Sequence, residues 1–225
     1  MPTKNLHDKP FDESTIAKLE IFQDYAQAWI PTFVMQNIST ISIFDFFAGT
    51  GYDKNGIAGS PIRILKKIKE QVIQIFQRKV KVVIYLNEFE QKKYELLKKA
   101  CADYLEENDH VKSAVEIKYY NEDFEDLFPK LLPKINESPS LVYLDQNGIK
   151  FLSEKYFLEF EKTKQTDFLY FVSSSYIRRF GDSKEFKVHL DIDMTEAKKD
   201  PYKFIHRSII KQIRGKLPIN TKLKL

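Results

Sequence analysis

Apolar residues change their spacing repeatedly along this chain, and the changes mark out elements. In "ESTIAKLEIFQDYAQAWIPTF", Ile16, Leu19, Phe22, Tyr25, Ala26 and Trp29 recur at the spacing that lays one helix face against a core, with Ser14 or Asp12 placed to cap the first turn. "TISIFDFF" has no such period, and its β-branched and aromatic residues predict a strand covered on both faces. The stretch from Ser60 to about Arg78 predicts a helix, with Pro61 tolerated in its first turn because the missing N–H would have no intrahelical partner there. "KVKVVIYLNE" follows as a strand, "QKKYELLKKACADYLEEN" as an amphipathic helix, "AVEIKYYNED" as a strand and "FEDLFPKLLPKI" as a short helix interrupted by prolines. "SLVYLDQNG" is a further strand, "SEKYFLEFEKT" a helix and "TDFLYFVSSS" a fifth strand.

Each parallel connection needs a crossover, so five strands separated by helices predict a mostly parallel sheet with helices on both faces, a doubly wound α/β fold. Residues 1–180 are expected to form this domain, N-terminal helix included. After Ser175 the pattern weakens: "RRFGDSKEFKVHLDIDMTEAKKDP" reads as a loop with a short strand, followed by the helix "PYKFIHRSIIKQIRG". Residues 181–225 are therefore an extension, and the basic end "KLPINTKLKL", with no closing element, predicts the start of a further region.

With 43% hydrophobic and 14% aromatic residues in 225, the chain can bury a substantial core, which argues against disorder. One cysteine, Cys101, leaves no internal disulfide framework, and beside Ala100 and Ala102 it is expected to be a packed small residue. No secretory signal opens the sequence and no apolar stretch approaches the roughly 20 residues that cross a bilayer, so a cytoplasmic protein away from membranes is expected. His7, His110, His189 and His206 lie far apart, and no metal site is expected. The net charge of +4 is scattered apart from a modest basic excess near the end, which supports nucleic acid as a partner only weakly.

In an open parallel sheet, ligands bind beyond the carboxyl ends of the strands. Four predicted strands end in suitable residues: Asp45, Ala48, Gly49 and Gly51 after the first, Asn87 and Glu88 after the second, Glu122 and Asp123 after the third, and Asp145, Gln146 and Asn147 after the fourth. "GTGYDKNGIAG" lacks the glycine spacing of a dinucleotide loop and the Gly-Lys of a phosphate loop, and it carries Asp53. An acidic glycine loop suits a ligand without phosphates, such as S-adenosylmethionine, which has a cationic sulfonium, an amino acid end, a ribose and an adenine. On that reading Gly49 and Gly51 admit the ligand close to the backbone. Asp45 orients the amino acid end, Glu88 accepts from the ribose hydroxyls, and Asp123 receives the adenine amino group. The alternative is that Asp45 and Glu88 cap helices and the glycines shape a turn.

The long first loop makes Tyr52, Asp53, Lys54 and Asn55 substrate-side candidates. Asp145, with Gln146 beside it, stands where a methyl acceptor would be oriented, as a general base or as the holder of an amine; an ordinary turn is the alternative. "LDQNG" departs from the Asp-Pro-Pro-aromatic arrangement of amino-methylating nucleic-acid enzymes, which weakens base methylation. In "SSSYIRRF", Arg178 and Arg179 either meet a phosphate or acidic partner or are solvated on a capped helix.

Taken together, "HDKPFDESTIAKLEIFQDY", "FDFFAGTGYDKNGIAGSPIRIL", "YLNEFEQKKYELL", "VYLDQNGIK" and "FVSSSYIRRF" resemble the three-Cys-motif partner protein family, TcmP. "DFFAGTG" is also similar to the first motif of S-adenosylmethionine methyltransferases, especially those acting on nucleic acid. The resemblance implies a Rossmann-like class I methyltransferase architecture, a partner protein carrying three cysteines, and a winged-helix-like region after "HRSII". It gives His7 and Asp8 either a lid or catalytic role or a helix-capping one. Two functions are compatible with it: methyl transfer from S-adenosylmethionine, with nucleic acid as one acceptor, or a non-catalytic adaptor for the three-cysteine protein in phage or mobile-element systems.

Overall fold

A computed structural model describes residues 10–145 and 153–219. The chain divides into two compact units, one of residues 1–145 with 164–170 and one of residues 146–163 with 171–225.

The first unit is built on five strands, β1 (Thr40–Asp45), β2 (Lys81–Asn87), β3 (Val115–Tyr120), β4 (Ser140–Leu144) and β5 (Thr166–Tyr170). They pair in the order β3-β2-β1-β4-β5, and every pairing is parallel. This is the doubly wound α/β fold that the alternating periods predict. The order reverses direction between β1 and β4, so the crevice beyond those strand ends is where such a sheet takes ligands.

The period of two along β1 sends alternate side chains to opposite layers. Phe44 stacks on Tyr85 of β2, its partner in register, at 4.3 Å, and Phe46 meets Phe124 edge-on at 5.1 Å. The opposite face holds Tyr143 of β4, stacked at 4.1 Å on Phe22 of α1 (Glu13–Val34). Both faces are covered, which is why β1, β2 and β4 read as continuous apolar runs. Asp12 caps α1 by accepting from the Thr15 N–H at 2.7 Å.

The predicted helix from Ser60 to Arg78 is two helices, α2 (Ser60–Glu70) and α3 (Val72–Arg78), divided at Gln71, whose N–H turns back to the Ile68 carbonyl. Lys79, at φ 57°, ends α3 in the left-handed region. Then follow α4 (Gln91–Glu106), α5 (Asp109–Lys112) and α6 (Phe124–Ile135). The expected interruption of α6 does not occur. Pro129 and Pro133 lie four apart on its exposed face, where carbonyls deprived of an intrahelical N–H meet water.

The second unit contains α7 (Glu154–Glu161), α8 (Ser174–Phe180), α9 (Lys184–His189), α10 (Met194–Ala197) and α11 (Ile205–Gly215), the last preceded by a 3-10 turn over Tyr202–Phe204. The short strand expected after Phe180 is absent among the described residues. Ser183 and Asp193 cap helices there by accepting backbone N–H bonds, and the alternating Val188, Leu190 and Ile192 do not share one environment. Val188 is 80% exposed, whereas Leu190 and Ile192 are fully buried.

Candidate functional site

The carboxyl ends of β1, β2 and β4 bring Asp45, Glu88 and Asp145 to one edge of the sheet. Asp45 is the last residue of β1 and is buried. Its Oδ2 accepts from the Ser60 hydroxyl at 2.6 Å and its Oδ1 from the Phe47 N–H at 3.1 Å, so it joins β1 to the first residue of α2. Burial pushes its pKa up to about 7. The Ser60 and Phe47 hydrogen bonds oppose that rise, and the charges of Asp145 and Glu88 add to it. The three acids therefore share one field, which a cation entering the crevice would relieve.

The glycine loop closes on β2. Gly49, at φ 65°, donates its N–H to Glu88 Oε2 at 3.1 Å, while the Glu90 N–H donates to Oε1 at 2.9 Å. Ala48 N–H reaches the Asn87 carbonyl at 2.9 Å. Burial raises the Glu88 pKa, against the Glu90 N–H bond, the Lys93 charge and the Gly49 N–H bond. A carboxylate offers about four lone-pair positions, so these two bonds leave room for two hydroxyl donors. Beside Glu88, Phe89 is 68% exposed. Asp123 caps α6 by accepting from the Glu125 N–H at 2.8 Å.

Gly51 has a packing reason to be glycine. At φ 87° it lies in the left-handed region, and an added Cβ would stand 2.6 Å from Ala100 Cβ on α4. Its missing side chain allows the loop to seat on a helix.

Tyr52 to Ser60 forms a closed turn. Tyr52 bridges Ala58 in antiparallel fashion, and the Gly59 N–H meets the Gly51 carbonyl at 2.8 Å. Asp53 pins the interior, accepting from Asn55 N–H at 2.9 Å and Ile57 N–H at 2.7 Å, and from Phe11 N–H at 2.8 Å. Burial pushes its pKa up, but these three bonds outweigh burial and hold it below the usual carboxylate range. The Tyr52 phenol is raised by burial and by the charges of Glu107 and Asp103 among others; Tyr52 and Asp53 line a 380 Å³ groove against Leu96 and Lys99 of α4.

At the β4 end, Asp145 Oδ1 accepts from Lys18 Nζ of α1 at 2.5 Å. A cavity of about 50 Å³ lies there, lined by Phe11, Thr15, Leu19, Ala48, Gly51, Ser60, Tyr143 and Asp145, among others. Drug-sized ligands are usually enclosed by about 300 Å³ or more, so only a small group fits inside. Among the described residues, no three His, Cys, Asp or Glu gather closely enough to hold a metal ion, and no helix is long and apolar enough to cross a membrane.

Of the residues predicted from sequence, Asp45, Ala48, Gly49, Glu88 and Asp145 meet at this edge. Asp123 is on the β3 side, and Tyr52 and Asp53 belong to the closed turn. Gln146 lies outside the described residues. Arg178 is on α8 of the second unit. Ser60, Lys18 and Tyr143 were not anticipated, nor was the work of Asn87, whose Nδ2 donates to the Phe46 and Glu122 carbonyls at 3.1 and 3.0 Å while Oδ1 accepts the Glu122 N–H. An amide at a strand end was the available sign, since one Asn can donate and accept at once and so tie three neighbouring chain ends. Compared with protein-family models, with curated proteins and with solved structures, the chain matches none of them.

Proposed function

We propose that the first unit binds S-adenosylmethionine and transfers its methyl group, as the resemblance to the three-Cys-motif partner family and to methyltransferase first motifs suggests. The observation that carries this reading is the pair Gly49–Glu88: a glycine loop after β1 tied to a carboxylate at the end of β2, beside a buried acid at the switch point of a parallel sheet. Bound there, the cofactor supplies a methyl group on a positively charged sulfur. Asp45, Glu88 and Asp145 provide the negative field that favours such a cation. Glu88 accepts from two ribose hydroxyls through its remaining lone pairs, and exposed Phe89 offers an apolar surface beside them. The small cavity beside Asp145 has room for only a small group, so Glu88 and the groups around it would hold the larger part of the ligand outside that cavity. Asp145 would hold the acceptor and receive the proton it gives up, which requires Lys18 to release the carboxylate.

Titration calorimetry with S-adenosylmethionine and S-adenosylhomocysteine tests this reading. Glu88→Ala should weaken binding by roughly 1.5 to 3 kcal/mol, the range for hydrogen bonds to a charged group. No heat from either ligand with folded wild-type protein would refute the proposal.

The Lys18–Asp145 pair also favours a second reading, a non-catalytic adaptor for a three-cysteine protein, because it occupies the group an acceptor would need. Co-purification of such a partner, with no methyl transferred to any macromolecule by the complex, would support the adaptor.

A further inference from the structure

The second unit is basic where the rest of the chain is not. Residues 171–225 hold 13 Lys and Arg against 6 Asp and Glu, a charge of +7, which leaves −3 for residues 1–170. The excess peaks between Pro201 and Ile219, where Lys203, Arg207, Lys211, Arg214 and Lys216 occur with no acidic residue. Lys203, Arg207, Lys211 and Arg214 follow one another at spacings of three or four, so they form a stripe along α11 and the turn before it, and all four are exposed. Among the described residues none of the four is paired with a carboxylate. Lys198 and Lys199 nearby are paired, with Asp182 and Glu196.

The stripe is held in place. Ile205, Ile209 and Ile213, on the opposite side of α11, are 1%, 1% and 4% exposed. Gln212 fixes the helix to the α10 cap, accepting from the Asp193 N–H at 2.7 Å and donating to its carbonyl at 3.1 Å. The Arg207 guanidinium lies 4.5 Å from the Phe204 ring, which limits its wandering.

We infer that this face of α11 is a docking surface for the phosphate backbone of duplex DNA. Four unpaired cations on a rigid face are the electrostatic footprint of a polyanion. An amphipathic basic helix can also lie on a membrane, but it does so by burying its apolar face in lipid, and here that face is already in the unit's own core. Single strands are gripped by aromatic side chains on which bases stack; the half-buried Phe204 is instead covered by Arg207. An 11-residue helix of about 16 Å with cations along its exposed side fits the major groove of B-form DNA, about 12 Å wide, whereas that of A-form RNA is too narrow.

The inference stands apart from the cofactor reading, and its test keeps them separate. Anisotropy of a labelled short DNA duplex is measured with the whole chain across a salt series. Replacing Arg207, Lys211 and Arg214 together by Gln should flatten the slope of log affinity against log salt by about 2 to 3, roughly 0.9 for each lost phosphate contact. The low-salt affinity should fall by more than about tenfold. Lys66→Gln, Lys69→Gln and Lys92→Gln together remove the same charge from the first unit and should leave both quantities nearly unchanged. Glu88→Ala should bind DNA as wild type does, whatever it does to S-adenosylmethionine. Equal losses in the two triple variants, an unchanged slope, or a preference of wild type for duplex RNA, single strands or phosphatidylserine vesicles would overturn the assignment.

Discussion

The two ends of the candidate site hold their carboxylates by different means. At the β1–β2 end, Asp45 and Glu88 are each tied to backbone N–H groups a few residues away or on the adjoining loop, and Asp45 also to the neutral Ser60 hydroxyl. At the β4 end, Asp145 is held by the side-chain ammonium of Lys18, 127 positions earlier in the chain. Backbone donors are rigid, uncharged dipoles that do not titrate, so they preorganise a binding pocket. A lysine on a flexible stem can leave, so the β4 end is the one able to change partners. The contrast suits a fixed cofactor end and an exchangeable acceptor end.

The largest effect comes from loosening the rigid end. Gly51→Ala places a Cβ against Ala100 at a backbone angle that L residues avoid. Strain of about 1–2 kcal/mol and overpacking of about 1–3 kcal/mol predict a loss of about 3 kcal/mol in denaturant unfolding. Ala100→Gly alone costs about 1 kcal/mol as a helix glycine. Adding it to Gly51→Ala should nonetheless recover part of the loss, because it removes the clash and leaves the strain and the helix-glycine cost. A double variant that loses the full sum would show that the Gly51–Ala100 approach does not set the loop.

A smaller effect tests the field at that end. Asp45 has its folded pKa raised to about 7 from an ordinary 3.8, so the folded state binds the extra proton. Stability from this group is fully present below pH 3.8 and is lost as pH rises through 7. Each pKa unit is worth about 1.4 kcal/mol, so wild type should lose roughly 2 to 3 kcal/mol relative to Asp45→Asn between pH 5 and 8. Thermal melts of both proteins across that range check it. Parallel pH profiles would mean that Asp45 is not desolvated and that the acids do not share a field.

The same contrast explains what could be read from the sequence. Strand ends are legible, because apolar runs stop at Asp45, Asn87, Tyr120 and Leu144, and parallel strands place those stops on one edge. That brought Asp45, Glu88 and Asp145 together correctly. What each acid touches is decided by packing. Ser60 reaches Asp45 because α2 begins beside β1, and Gly51 faces Ala100 because α4 crosses the loop. The break at Gln71 is a local backbone turn onto the Ile68 carbonyl, and the helical continuity through Pro129 and Pro133 depends on both prolines facing water. Asn87 stood in plain view at a strand end, but its donors and acceptor act on neighbours 35 to 41 positions away.

The smallest effect concerns the exchangeable end and separates a latch from a surface ion pair. Lys18 and Asp145 are 27% and 16% exposed, against 71% and 56% for Lys99 and Asp103, a pair on the solvent face of α4. Partial burial weakens solvent screening, so a double-mutant cycle with Lys18→Met and Asp145→Asn should give a coupling of about 1 kcal/mol, and Lys99→Met with Asp103→Asn about 0.3–0.5 kcal/mol. If Lys18 guards Asp145 from an acceptor, saturating the protein with an S-adenosylmethionine analogue should reduce the first coupling and leave the second untouched, because only the first pair adjoins the crevice. Equal couplings, or a first coupling unchanged by the analogue, would place Lys18–Asp145 among ordinary ion pairs and leave the β4 end as fixed as the β1 end.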